Sequence, residues 1–197
     1  SDLNSRDLAH SAWGAGLEVT WMTSCRDEEA DMRRAFTTAC QRAQIVLVSG
    51  GLGPTEDDLT VDVLAGLLGV DAVIDEPARA AMEARFAGRV ALTEKQLRQV
   101  RVPRGAEVFA NRAGLAPGFL VRMAGATIMA MPGVPRELAA IVDDHVAPRL
   151  RELAGAGPRI AREQYRVFGK GESQISSMLT GILDGEPLVT VHYQVKF

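Results

Sequence analysis

Apolar residues recur along this chain with two periods, and the alternation between them predicts a layered fold. Spacings of three and four place Met32, Phe36, Ala39, Cys40 and Ala43 on one face of a helix over Asp27–Arg42, after a first helix over Asn4–Ala15. Between them, Leu17–Thr23 alternates and carries β-branched residues, which reads as a strand. Ile45–Val48 is a short continuous apolar run, the pattern of a strand covered on both faces. Val63, Leu64, Leu67 and Leu68 then share a helix face that Gly69 closes as a C-terminal cap. From Glu76 to Val100 the pattern is helical except for a break at Gly88, with an arginine-rich solvated surface. Phe119–Met123 and Thr127–Met131 read as strands joined by a turn at Ala124-Gly125-Ala126. Pro132-Gly133-Val134-Pro135 ends the second of these and leads into a helix with Leu138, Ile141, Val142, Val146 and Leu150 on one side.

Strands alternating with helices predict the α/β class: a three-layer α/β/α domain with a mostly parallel sheet over residues 1–153. Ala154-Gly155-Ala156-Gly157-Pro158 is small and flexible, the composition of a linker. A small α+β unit over 159–197 is expected to run strand (Ala161–Phe168), helix (Ile175, Met178, Leu179, Ile182 and Leu183 on one face), strand (Leu188–Phe197).

The chemistry concentrates where the first buried strand ends, in Ser49-Gly50-Gly51-Leu52-Gly53-Pro54-Thr55-Glu56-Asp57-Asp58-Leu59-Thr60. Gly50, Gly51 and Gly53 lack Cβ atoms, so the backbone can turn sharply and bring its N–H groups against an anion. The helix expected to open at the three acids aims its unpaired amides at the same place. Neither a Walker A ending nor the dinucleotide G-x-G-x-x-G spacing is present. Carboxylates beside a phosphate repel it unless a cation lies between them, and Mg²⁺ is commonly held by one or two carboxylates plus phosphate oxygens. Asp57 and Asp58 are therefore candidate metal ligands. Capping of the helix by Asp57 alone, worth about 0.5–2 kcal/mol, explains neither the three glycines nor Thr55. In an open α/β sheet, ligands bind outside the carboxyl ends of the strands, so Gly50–Asp58 and Pro132–Glu137 are expected to converge on one cleft.

Composition narrows the ligand. With 197 residues and 47% hydrophobic content, the chain can bury a substantial core. A net charge of −3 argues against nucleic-acid binding through a basic field, and 5% aromatic residues against a stacking platform for single strands. No apolar run approaches the ~20 residues of a membrane helix, and the polar start lacks the form of a secretory leader. Cys25 and Cys40 lack metal-ligand partners at workable spacing and read as reduced structural thiols. His10, His145 and His192 lie far apart, and His145 falls on the packed side of its helix.

Gly50–Thr60 resembles the signature of the N-terminal molybdopterin-binding-like domain of the CinA (competence/damage-inducible) family, a cousin of the MogA and MoaB molybdenum-cofactor proteins. Three later segments agree in order: Asn111–Phe119 is similar to N-x-x-G-x-A-P-G-F, Met131–Leu138 to P-G-x-P-x-E-(M/L), and Gly169–Ser173 to the G-x-G-E-S of the CinA middle domain. The resemblance implies a MogA/MoaB-like fold followed by part of a middle domain, in a cytoplasmic homo-oligomer. Against the family pattern, Asp2-Leu3-Asn4-Ser5 matches only the tail of the opening segment, with Leu3 in place of the usual threonine of D-T-N; the opening strand is expected to be missing, the middle domain unfinished and a deamidase domain missing. Lys95 and Gln96 stand where relatives carry asparagines. Arg98 remains as a cation for the ligand or as an ordinary surface arginine.

The resemblance further implies metal-dependent hydrolysis of a nucleotide pyrophosphate such as ADP-ribose, releasing AMP and a sugar phosphate. Asp58 would be the first metal ligand and Asp57 a second ligand or outer base, around Mg²⁺, Mn²⁺ or Co²⁺. Gly50, Gly51, Gly53 and Thr55 would hold phosphate oxygens. Gly114, Pro117 and Gly118 would shape the opposite wall, or simply a tight hairpin entrance, and Pro132, Gly133 and Pro135 a rigid turn that doubles as a ligand wall. Glu137 reads as a dipole-compatible acid or a ligand. A pterin-phosphate binding module without turnover, and an oligomerising scaffold, remain as alternatives.

Overall fold

A computed structural model describes residues 3–86, 92–156, 163–182 and 185–193. Along the chain the elements are α1 (Leu3–Gly14), α2 (Glu29–Arg42), β1 (Ile45–Ser49), α3 (Thr60–Leu68), β2 (Ala72–Ile74), α4 (Glu76–Phe86), α5 (Glu94–Arg98), β3 (Arg101–Pro103), β4 (Glu107–Phe109), β5 (Gly118–Met123), β6 (Ala126–Met131), α6 (Pro135–Ile141), α7 (Ala147–Ala154) and α8 (Glu172–Leu179). They fall into two compact units, Ser1–Ala161 and Arg162–Phe197.

In the first unit the main sheet has the order β1-β6-β5-β4. Alternation along each strand sends side chains to two separate cores. Val46, Val48, Phe119, Val121, Ile128 and Ala130 pack with Met32, Phe36 and Cys40 of α2 and with Val63 and Leu64 of α3. Ile45, Leu47, Leu120, Met129 and Met131 face the other way, onto Leu8 and Ala12 of α1 and onto Leu138, Ile141, Val146 and Leu150. The three-layer α/β/α arrangement is thus present, with β6 buried along its whole length. β1 pairs with β6 in parallel, from Ile45 opposite Thr127 to Ser49 opposite Met131. The β4–β5 and β5–β6 pairs are antiparallel, so the sheet is mixed. Its hairpin turns on Ala124 (φ 50°) and Gly125 (φ 84°), two successive positive-φ residues as a two-residue turn with the right twist requires. β2 and β3 form a separate antiparallel pair.

Helix boundaries follow local chemistry. Gly69 closes α3 in the left-handed conformation (φ 68°, ψ 32°), and Thr93 and Gln96 form a reciprocal capping box on α5. Between α6 and α7 the chain widens to a π-turn over Val142–Val146, where the Ala147 N–H donates to the Val142 carbonyl. Pro148 follows directly, and its missing N–H and ring bulk are relieved by such a widening.

Among the described residues, three expected strands carry no ladder. Leu17–Thr23 runs without a ladder: Leu17 and Val19 pack against the second core, but Trp21 and Met22 are 61% and 59% exposed. Alternation describes side chains, but a strand also needs a neighbour for its backbone, and Leu17–Thr23 joins neither edge of the sheet β1-β6-β5-β4. In the second unit, the described parts of the two flanking strands, 163–168 and 188–193, likewise carry no ladder around α8. Tyr165, Phe168 and Leu188 are largely exposed there; an isolated strand pair with no layer to cover it is marginal in water. The expected break at Gly88, residues 157–158 of the linker and Leu183 lie outside the described residues.

Candidate functional site

The glycine loop leaves the carboxyl end of β1 and folds back on itself. Gly50 (φ 103°) donates its N–H to the Met131 carbonyl at 2.9 Å, and Gly51 (φ 70°) turns the chain. Thr60, at the start of α3, fastens the loop from inside: its N–H donates to the Gly51 carbonyl at 3.1 Å and its hydroxyl to the Gly50 carbonyl at 2.9 Å. A Cβ on Gly51 would overlap that hydroxyl and lie 3.1 Å from the Thr60 Cβ. A second closure sits within it. The Asp58 carboxylate accepts from the Thr55 N–H at 2.9 Å and from the Thr55 hydroxyl, while the Asp58 N–H donates to the Thr55 carbonyl at 3.2 Å. A Cβ on Gly53 would overlap this carboxylate.

These closures correct the expected helix start. Glu56, Asp57 and Asp58 lie in the turn before α3, whose first residue is Thr60 and whose N-cap, Leu59, has no side-chain cap. Asp57 therefore does not cap α3, and its neighbour Asp58 spends its carboxylate on closing the turn at Thr55, the usual competition of a short polar side chain with helical hydrogen bonding. The N–H groups of Gly51, Leu52 and Gly53 donate to no acceptor among the described residues.

The two expected loops do meet. A Cβ on Gly133 would lie 3.3 Å from the Gly50 Cα. Asn4, from α1, bridges the junction, donating through Nδ2 to the Ser49 hydroxyl at 2.9 Å and the Gly133 carbonyl at 2.8 Å. Its Oδ1 is buried, with no partner among the described residues. On the far side of Pro135, Glu137 accepts from Asn111 at 2.7 Å, and a Cβ on Gly114 would overlap its carboxylate. Gly133 and Pro135 are exposed, whereas Pro117, Gly118 and Pro132 are buried packing positions. At Gly118 a Cβ would press on the Ala130 carbonyl at 2.9 Å. Sequence reading missed Asn4 and Thr60 as parts of the site, although Asn4 stands in the D-T-N position and Thr60 ends the glycine motif.

A family model described as a probable molybdopterin binding domain matches residues 1–152. The CinA crystal structure from Thermoplasma acidophilum superposes with a TM-score of 0.67 at 31% identity, over 73% of this chain and 84% of that one. The chain belongs to the CinA family. A CinA-like protein of Anaeromyxobacter sp. (strain Fw109-5) is 40% identical over 93% of the chain, and one of Desulfosudis oleivorans 33% identical over all of it. The chain spans 44% and 48% of those two relatives, about half their length. A structure of molybdenum cofactor biosynthesis protein B shares the fold, with a TM-score of 0.51 at 16% identity over 78% of this chain and 83% of that one.

Within this CinA-type domain the acids near the loop are not equivalent. Asp57 is exposed, and the Thr55 hydroxyl above all, then its own backbone N–H and Lys95, hold its carboxyl below the usual carboxylate range. That hydroxyl carries one proton, which the hydrogen-bond geometry directs to Asp58, so it serves Asp57 only in exchange. Among the described residues no three His, Cys, Asp or Glu side chains gather as a metal-ligand set. Two adjacent acids, Asp57 and Asp58, fall short of a cage made by protein, so a cation there would need water and ligand oxygens to complete its shell. Two open hollows of about 430 and 450 Å³ lie away from the loop, one around Cys25, Arg26 and Arg34, the other around Arg85, Arg112 and Arg136. Among the described residues both cysteines are free thiols, Cys40 buried and Cys25 exposed. His145 stacks on Phe109 at 5.2 Å, a packing role. No helix among the described residues is long and apolar enough to cross a membrane.

Proposed function

We propose that the glycine loop binds the pyrophosphate of a nucleotide such as ADP-ribose and that the parent protein hydrolyses it to AMP and a sugar phosphate. The observation that carries this reading is the row of N–H groups at Gly51, Leu52 and Gly53, which meet no acceptor among the described residues and lie next to the Asp58 carboxylate, where the two loops meet. Such a row is a backbone nest for an anion. The paired closures at Thr60 and Asp58 hold it in shape before the ligand arrives, which removes a reorganisation cost from binding. Asp57, ionised and exposed, and the free oxygen of Asp58 would hold a divalent cation, Mg²⁺, Mn²⁺ or Co²⁺, against the phosphate oxygens. Such a cation neutralises phosphate charge and lowers the pKa of a bound water. The chain's own part is to orient the pyrophosphate through the three amides and to keep Asp57 unprotonated at neutral pH.

Incubation of the protein with ADP-ribose and each cation, with AMP release followed by chromatography, tests the reading. Asp58→Asn keeps the shape of the side chain and should abolish turnover; unaltered AMP release in that variant excludes the assigned role. A second reading, a pterin-phosphate binding module without hydrolysis, draws on the family model's description and on the fold shared with molybdenum cofactor biosynthesis protein B. Calorimetry with molybdopterin separates it, since that reading requires tight binding and no AMP release. A cytoplasmic homo-oligomer belongs to the same proposal, with light scattering in solution as its check.

A further inference from the structure

Behind the glycine loop, two arginines converge on one acid. Arg98, the last residue of α5, and Arg101, the first of β3, each donate from Nη2 to the same oxygen of Asp62, both at 2.9 Å. Arg98 also reaches the Asp58 main-chain carbonyl at 3.3 Å, so its guanidinium spans from α3 to the end of the loop. The cluster is accessible: the side chains of Arg98, Arg101 and Asp62 are 27%, 26% and 37% exposed. Two guanidiniums thus share a single carboxylate oxygen. The Nε atoms of both arginines are also buried, with no partner among the described residues. An acceptor with more oxygens and more charge than Asp62 would engage the accessible edges of the two forks more fully. A phosphate has both, and the planar guanidinium fork matches its geometry.

We propose that Arg98 and Arg101 form an anion subsite beside the glycine loop that takes a phosphate group of the ligand, with Asp62 as its resident counter-ion. The inference rests on reading the loop as a phosphate cradle, to which Arg98 is tied through the Asp58 carbonyl. A purely structural strut joining α5 and β3 to α3 is the competing account, and the two differ in sign at Asp62. As a strut, Asp62→Asn costs stability and leaves anion affinity alone. As a counter-ion, Asp62 competes with the phosphate, and its neutralisation tightens binding, a gain that misfolding cannot imitate.

Calorimetry with inorganic pyrophosphate in the presence of EDTA reads the subsite without a cation. Arg101→Met, which keeps the packing stem, should weaken binding about tenfold, the scale of one charge-assisted contact, and Asp62→Asn should strengthen it several-fold. Wild-type affinity in both variants overturns the inference and leaves the loop reading standing. Loss of binding in Arg101→Met with no effect of Gly51→Ala keeps the arginines as an anion site in their own right and overturns the loop reading. No pyrophosphate binding by wild type or by Asp62→Asn overturns both.

Discussion

Gly51→Ala is the sharpest test of the loop, because the structure names what the added methyl group meets. At φ 70° an alanine adopts a left-handed backbone, which costs about 1–2 kcal/mol. The methyl would also overlap the Thr60 hydroxyl and come within 3.1 Å of the Thr60 Cβ and 3.2 Å of its backbone nitrogen. Thr60 is only 2% exposed and cannot swing into solvent. Moving it breaks the 2.9 Å bond to the Gly50 carbonyl, and a buried polar group left without its partner costs about 1–3 kcal/mol. The two contributions together put the loss at roughly 2–5 kcal/mol. Urea unfolding would show it as a midpoint shift on the order of 1–2 M, given slopes of about 1–3 kcal/mol/M.

Gly50→Ala is the control, with a strained φ of 103° but nothing within 4 Å of its added Cβ. It should cost the backbone strain alone. Thr60→Ala completes a double-mutant cycle: in the Gly51→Ala background it removes the clash and should cost less than in wild type, with a coupling of about 1–3 kcal/mol. Additivity of the two substitutions within about 0.5 kcal/mol, or equal losses for Gly50→Ala and Gly51→Ala, would refute the internal-closure account.

Gly118→Ala should destabilise by about 1–3 kcal/mol, again by urea unfolding, because the new methyl presses on the Ala130 carbonyl and on Ile141 at 3.2 Å. Ile141→Ala, fully buried between sheet and helix, should cost about 2–5 kcal/mol by the same measurement. The Asp57 carboxyl, followed by NMR, should titrate below the usual carboxylate range, and Thr55→Val should move it back up. The sign is that of a depressed acid: the benefit of its ionised form is present at neutral pH and disappears only as the pH falls through the lowered midpoint. Burial first, then Asp27 and Asp31, push the Cys25 thiol up, so alkylation at pH 8 should run slower than for a free cysteine peptide and faster in Asp27→Asn.

Elements that bury a face were legible in the chain. α2, β1, α3 and the long helical stretch from Pro135 each announce themselves by apolar spacing, and Phe36, Leu64, Ile141 and Leu150 lie in the cores where that spacing puts them. β2, β3 and β4 were not legible, being three residues each, too short for a period to register. Leu17–Thr23 fails for a different reason. Its alternation describes side chains correctly, with Leu17 and Val19 turned inward, but pairing depends on a neighbour that no local pattern contains.

The site divides along the same line. Glycines in a loop read as space reserved for a ligand, yet at Gly51 and Gly53 the space is filled by Thr60 and Asp58, nine and five residues further on. The motif therefore encodes its own closure, one side chain nested against each glycine. Only after those partners are satisfied does its chemistry emerge, in the amides that the closures leave without acceptors. Arg101 shows the complementary gap: nothing in its local sequence marks it, and only the fold brings it to the Asp62 oxygen that Arg98 also holds. A substitution that merely loosens the loop will thus lower stability and anion affinity together. Asp62→Asn separates the two quantities, because removing the resident negative charge moves them in opposite directions.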